Sequence, residues 1–143
     1  MTRLGAALVL LAVPAVAFLA PAPEVKAADV VVFRGDTYAA IAYSPATGRI
    51  GYAYNAGSRL GAELAALRKC RADDARIVCW VNNGFCALAV SRDGSVWGTG
   101  WSYGDGSSNT SAKLRALAEC RRRAGSARLV LCLCSANYAP EEF

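Results

Sequence analysis

Tyr38-Ala39-Ala40-Ile41-Ala42-Tyr43-Ser44 and Phe85-Cys86-Ala87-Leu88-Ala89-Val90-Ser91 read as two versions of one strand. Ala40–Ser44 returns as Ala87–Ser91 at an offset of 47 positions, and at the same offset Gly51 returns as Gly98, Tyr54 as Trp101 and Gly57 as Gly104. Further on, Leu64, Leu67 and Cys70 return as Leu114, Leu117 and Cys120 at an offset of 50. Ala75–Val78 then returns as Ala127–Val130 at an offset of 52. The offset grows only in the Gly/Ser-rich loop before the second helix and the basic loop after it. Loops absorb insertions because they carry few packing constraints.

Each copy spells the same series of elements. The short apolar runs Tyr38–Ser44 and Phe85–Ser91 are bounded by turn residues and read as strands. Turns follow at Pro45–Gly48 and Arg92–Ser95, where Asp93-Gly94 supplies the positive φ of a hairpin. The second strands, Arg49–Asn55 and Val96–Tyr103, alternate bulky residues with Gly51, Ala53, Gly98 and Gly100. A face made of glycine and alanine admits a helix at close range. Helices are expected at 59–71, capped by Ser58, and at 112–123, capped by Asn109, Thr110 or Ser111. Their apolar stripes are Leu60, Leu64, Leu67 and Cys70 in one and Leu114, Leu117 and Cys120 in the other. Closing strands follow at Arg76–Val81 and Arg128–Cys134. A unit of this size buries too little apolar surface to stand alone. The expected fold is therefore α+β: a duplicated β-β-α-β unit sharing one mainly antiparallel sheet, with both helices on one face.

Residues 1–27 read as a secretory signal. Arg3 precedes an apolar run broken at Pro14, and Val25 and Ala27 make a small-residue cleavage site. Residues 28–37 are then an N-terminal arm or edge strand, and 38–143 a single domain of two repeats, 38–84 and 85–137, with a short tail. No stable membrane insertion is expected after cleavage. Loss of Arg3, Glu24 and Lys26 lowers the net charge by one unit from +5. Arg121-Arg122-Arg123 is the only basic run, placed where cations offset the negative end of a helix dipole. With export, that argues against a nucleic-acid partner.

All six cysteines follow the signal, and an even count in a small exported domain points to disulfides. Joining each helix to its next strand gives Cys70–Cys79 and Cys120–Cys132, and Cys86–Cys134 would tie the two ends of the second repeat. Each bridge would contribute roughly 2–4 kcal/mol. One conflict stands: the repeat aligns Cys79 with Leu131, not with Cys132, so equivalent strands would send these cysteines to opposite faces. A bulge or another pairing has to resolve it.

The run Tyr38–Ser44, the Gly51-Tyr52 strand, the alanine-rich helix ending in Cys70, and Cys86-Ala87-Leu88-Ala89 together resemble a known family. It is the secreted bacterial domain of unknown function 4189, whose small exported mycobacterial and other actinobacterial members are similar in plan. The resemblance covers nearly all of residues 38–137. This chain departs from the pattern at Ala75 and Ala127, where family members often carry a cysteine. The match of Cys86 and Cys134-Ser135-Ala136-Asn137 to the family's closing link favours that pair. The resemblance implies a secreted role at the host or cell-envelope interface and supplies no catalytic residues.

The chain has no histidine, which removes the commonest general base and most zinc sites. Neither a metal nor a cofactor is expected. Glu63 and Glu119 could form a distant carboxylate pair, but their places in the repeat read as solvated helix surface. The Gly104–Ser111 loop has the spacing of neither a phosphate loop nor a calcium loop. Cys132 and Cys134 lack the helix N-terminus that would favour a thiolate. The aromatic residues remain. Trp97, Trp101 and Tyr103 share one strand face, and Tyr52 and Tyr54 share the corresponding face of the other copy. With the helices over the glycines, these rings would face away and bind a protein, peptide or glycan. The expectation is a non-enzymatic secreted binding module; the alternative is a small extracytoplasmic hydrolase with a carboxylate or serine site.

Overall fold

The computed structural model describes residues 31, 33–104, 107–136 and 140–143. The expected signal at 1–27 lies outside the described residues. The chain runs β1 (Tyr38–Tyr43), β2 (Ile50–Ala56), α1 (Arg59–Cys70), β3 (Arg76–Asn82), β4 (Gly84–Val90), β5 (Trp97–Tyr103), α2 (Asn109–Ala124), β6 (Arg128–Cys134) and β7 (Glu141–Glu142). The fold is α+β, with two helices and antiparallel sheets.

The strands form two sheets, in the orders β2-β1-β3 and β5-β4-β6-β7, instead of the single shared sheet expected. The physical reason is burial on both faces of the central strands. Ala39, Ile41 and Tyr43 of β1 meet Cys86, Leu88 and Val90 of β4 in one core, together with residues of β3 and β6. The alternate residues Ala40 and Ala42 pack on α1, and Ala87 and Ala89 pack on α2. One helix layer covers only one face of a sheet, so the sheets lie back to back with a helix outside each. The helices thus occupy opposite faces of the molecule, not one.

The crossing from sheet to sheet is made by Asn83 alone, which separates β3 from β4 at φ 46°. Its side-chain Oδ1 accepts from the Thr37 amide at 3.0 Å and from the Thr37 hydroxyl at 3.1 Å. Its carbonyl accepts from Gly104 N at 2.8 Å. The Ser135 hydroxyl accepts from Gly84 N at 3.0 Å. These bonds fasten the corner to Thr37, Gly104 and Ser135.

The small strand faces do receive the helices. A Cβ on Gly51 would lie 2.1 Å from the Ala66 carbonyl oxygen, and one on Gly100 2.1 Å from that of Ala112. At that range only small residues fit beneath the helix. The buried residues are Ala62, Ala66 and Cys70 in α1 and Ala112, Ala116 and Cys120 in α2. The leucine stripes are corrected accordingly: Leu60, Leu64 and Leu114 are exposed, and Leu67 and Leu117 sit half-buried at the flanks. Ser58 caps α1, accepting from Gly61 N at 3.1 Å. α2 starts earlier than expected, at Asn109, and its cap is Ser108. Of the N-terminal arm, Val31 and Phe33 pack on the α2 cluster, and none of its described residues, 31 and 33–37, is in a strand.

Candidate functional site

Tyr52 of β2 shares one hollow with Val130 and Leu131 of β6, and Trp101 and Tyr103 of β5 share another with β3, so the expected aromatic face is divided between two sides of the sandwich. On the first side, Tyr52 packs on the inter-sheet core and donates to Glu142 Oε1 at 2.6 Å. That bond, followed by burial, raises its phenol above the ordinary value. Tyr54 is exposed farther along β2. Trp97 belongs to the core margin: its ring meets Tyr43 edge-on at 6.0 Å, and Arg76 lies 5.4 Å above it.

On the second side, Trp101 and Tyr103 of β5 keep 45% and 72% of their surface exposed. They form one wall of a groove of about 440 Å³ with Thr99; the other wall is the strand Val78–Asn82 of β3. Trp80, 40% exposed, completes it. The sequence reading missed Trp80, although the signal was available: at the offset of 52 it stands where the other copy has Cys132.

The groove has a cationic rim. The Arg59 guanidinium stacks 4.0 Å above Trp80 while its Nε donates to Glu63 at 2.7 Å. Beyond Trp101 lies a second hollow, lined by Arg115, Arg122 and Arg123 with Glu119. Glu119 pairs with Arg122 and Arg123, and these contacts, Arg122 foremost, hold its carboxyl below the usual range. Glu63 and Glu119 sit on helices at opposite faces of the molecule, so they do not form a carboxylate pair. No group of three or more Cys, Asp or Glu that could hold a metal ion occurs among the described residues.

All six cysteines are buried and free in this structure, with none of the expected pairs at disulfide distance. Cys70 packs beneath α1, whereas Cys79 belongs to the core between the sheets. Cys86 faces that same core, but Cys134 faces α2. Cys120 and Cys132 share the α2 cluster without adjoining. Cys120 Sγ lies 3.6 Å from the Ser126 oxygen, just past the end of the helix, whereas Cys132 stands opposite Glu141 of β7. Strand parity decides these positions: Cys79 and its counterpart Leu131 face the same core. Cys79 and Cys86 share the core between the sheets. The Cys79 hydrogen bond and burial hold Cys86 well above its ordinary value. Burial pushes Cys132 up to about 12. Such thiols supply no thiolate at neutral pH.

The site thus offers aromatic surface, an open strand edge and positive charge, a set suited to binding. No helix among the described residues is long and apolar enough to cross a membrane. No curated protein and no solved structure matches the chain. The model of a family described as a domain of unknown function, DUF4189, matches residues 38–138, and the chain belongs to that family.

Proposed function

We propose that the protein is a secreted, non-enzymatic binding module that holds a partner in the groove between β3 and β5. The observation that carries this reading is the exposure of Trp80, Trp101 and Tyr103 around one apolar groove of about 440 Å³. Rings with a wet edge and a dry face are the usual anchors of protein, peptide and glycan recognition. The apolar N-terminal segment supports export, and with it a place at the cell envelope or host interface. The matching element order and strand order of the two halves support descent from a duplicated unit.

The test is a screen of immobilised peptides and glycans with purified protein, run beside Trp101→Ala. The ring is half exposed, so its removal should leave the fold intact. Ligands retained by the wild type and lost by the variant are the expected result. Identical retention of every ligand by both proteins refutes the groove as the binding surface.

A further inference from the structure

The two halves of the molecule differ at one strand edge. In the second half, β6 is not the outermost strand. β7 lies antiparallel on it, with Glu142 opposite Leu131 and Glu141 opposite Cys132. Phe143 N donates to the Val130 carbonyl at 3.2 Å. The side chains of this tail are also held. Glu141 pairs with Lys113 and accepts from Asn109 at 2.8 Å, Glu142 accepts from Tyr52, and Lys113 lies 5.1 Å above the Phe143 ring.

β3 holds the corresponding place in the first half. It is the third strand of its unit, pairs with the first, and carries a register shift that leaves Val78 unpaired between Ile77 and Cys79. The shift in β6 leaves Val130 unpaired between Leu129 and Leu131, at the offset of 52. Yet β3 ends its sheet, and among the described residues no strand lies on its outer side. The stretch that lines the groove, Val78–Asn82, is this open edge.

We infer that the β3 edge accepts an extended segment of another protein, rich in acidic and aromatic residues, as an added strand lying in the groove. This rests on the binding reading above and names the partner's chemistry. Strand addition supplies main-chain hydrogen bonds along the edge, and side chains pointing alternately to either side supply the selectivity. On one side such a segment meets Trp80 and Arg59, and on the other Trp101 and Tyr103, with Arg115 beyond. The molecule's own Glu141-Glu142-Phe143 has this chemistry and is engaged on β6. A second copy presenting its own β3 is disfavoured by charge: it would bring together edges carrying Arg59 and Arg76 in a chain of net charge +5.

The probe is a fluorescein-labelled synthetic peptide of the sequence of residues 136–143, titrated by polarisation into the full chain. Two further peptides are compared, one N-methylated at alternate backbone positions and one with both glutamates replaced by lysine. Expected are saturable binding of the parent peptide and a loss of roughly tenfold or more in affinity for the N-methylated peptide, the lysine peptide and the Trp80→Ala protein. Equal binding of the N-methylated peptide overturns strand addition while leaving the groove reading standing. Equal binding of the lysine peptide, or no binding of the parent peptide, overturns the acidic class. Weakening by Lys113→Ala but not by Trp80→Ala shows the peptide displacing β7, which also overturns the proposal. So does sedimentation showing a dimer of the free protein that Trp80→Ala dissociates.

Discussion

Replacing Gly51 by alanine places a methyl carbon 2.1 Å from the Ala66 carbonyl oxygen, 2.3 Å from Cys70 N and 2.8 Å from Cys70 Cα. All three are helix backbone, so no side chain can swing aside. To restore van der Waals distance α1 must retreat by roughly 1 Å, and a gap of that size forfeits a quarter to a half of each dispersion contact it opens. The contacts at stake are those of Ala62, Ala66 and Cys70 with Ala40 and Ala42. Overpacking of this kind costs about 1–3 kcal/mol, and an unyielding backbone puts Gly51→Ala at the upper end. The narrower unfolded ensemble of alanine returns about 0.4–1 kcal/mol. The net loss is about 2–3 kcal/mol, a fall in Tm of about 10 °C for a domain of this size. Gly57 is the control, because a Cβ there meets nothing within 4 Å. Gly57→Ala should be neutral or slightly stabilising. Urea and thermal unfolding followed by far-UV circular dichroism measure both variants. A Gly51→Ala midpoint equal to that of Gly57→Ala would refute the claim that the glycine rows set the helix distance.

The second turn is pH-sensitive. Asp93 accepts from the Ser91 and Ser95 hydroxyls and the Ser95 amide, which hold its carboxyl down to about 2. A carboxyl depressed on folding stabilises the protein above its unfolded value of about 4, and that contribution is lost as pH falls from about 4 to about 2. Asp93→Asn should therefore melt below the wild type at pH 6, and the difference should close by about pH 2; a constant difference across the range contradicts the assignment. The two β5 tryptophans should separate in stability: Trp97→Ala, which strips a ring from the core margin beside Tyr43, should cost about 2 kcal/mol in urea unfolding, and Trp101→Ala less than about 1. Equal losses would contradict the difference in burial.

Much of this fold is written locally. The alternation of glycine with bulky residues in β2 and β5, the Ser58 cap and the two turns follow from short-range chemistry, and the chain obeys it. The number of sheets does not follow, because one sheet and two have the same element order. The deciding residues are Asn82-Asn83-Gly84, whose composition suits a hairpin turn but which act as a corner fastened by Thr37 and Ser135. The helix faces misled for another reason. Leucines and alanines both recur at helical spacing, and hydropathy favours the leucines. The partner surface settles the choice: Gly51, Gly98 and Gly100 leave room for alanine and cysteine only. The cysteines show the same limit. Helix-to-next-strand proximity suggested the bridges, but strand parity fixes which face a side chain takes, and parity separates Cys70 from Cys79.

The groove arises where the two halves stop resembling each other. Cys132 on β6 is small, buried in the α2 cluster and flanked by β7, whereas its counterpart Trp80 is large, 40% exposed and overlaid by a stacked arginine. An unpaired edge beside an exposed tryptophan is an aggregation hazard unless something blunts it. Here the irregularity at Val78 and the charges of Arg59 and Arg76 serve that purpose. The arginine shield is also weak: a guanidinium over an exposed ring contributes about 0.5–1 kcal/mol, and Glu63 can hold the released side chain in its surface ion pair. Uncovering Trp80 therefore costs little compared with what a strand of several main-chain hydrogen bonds would return. The features that keep the edge soluble when empty leave it easy to fill.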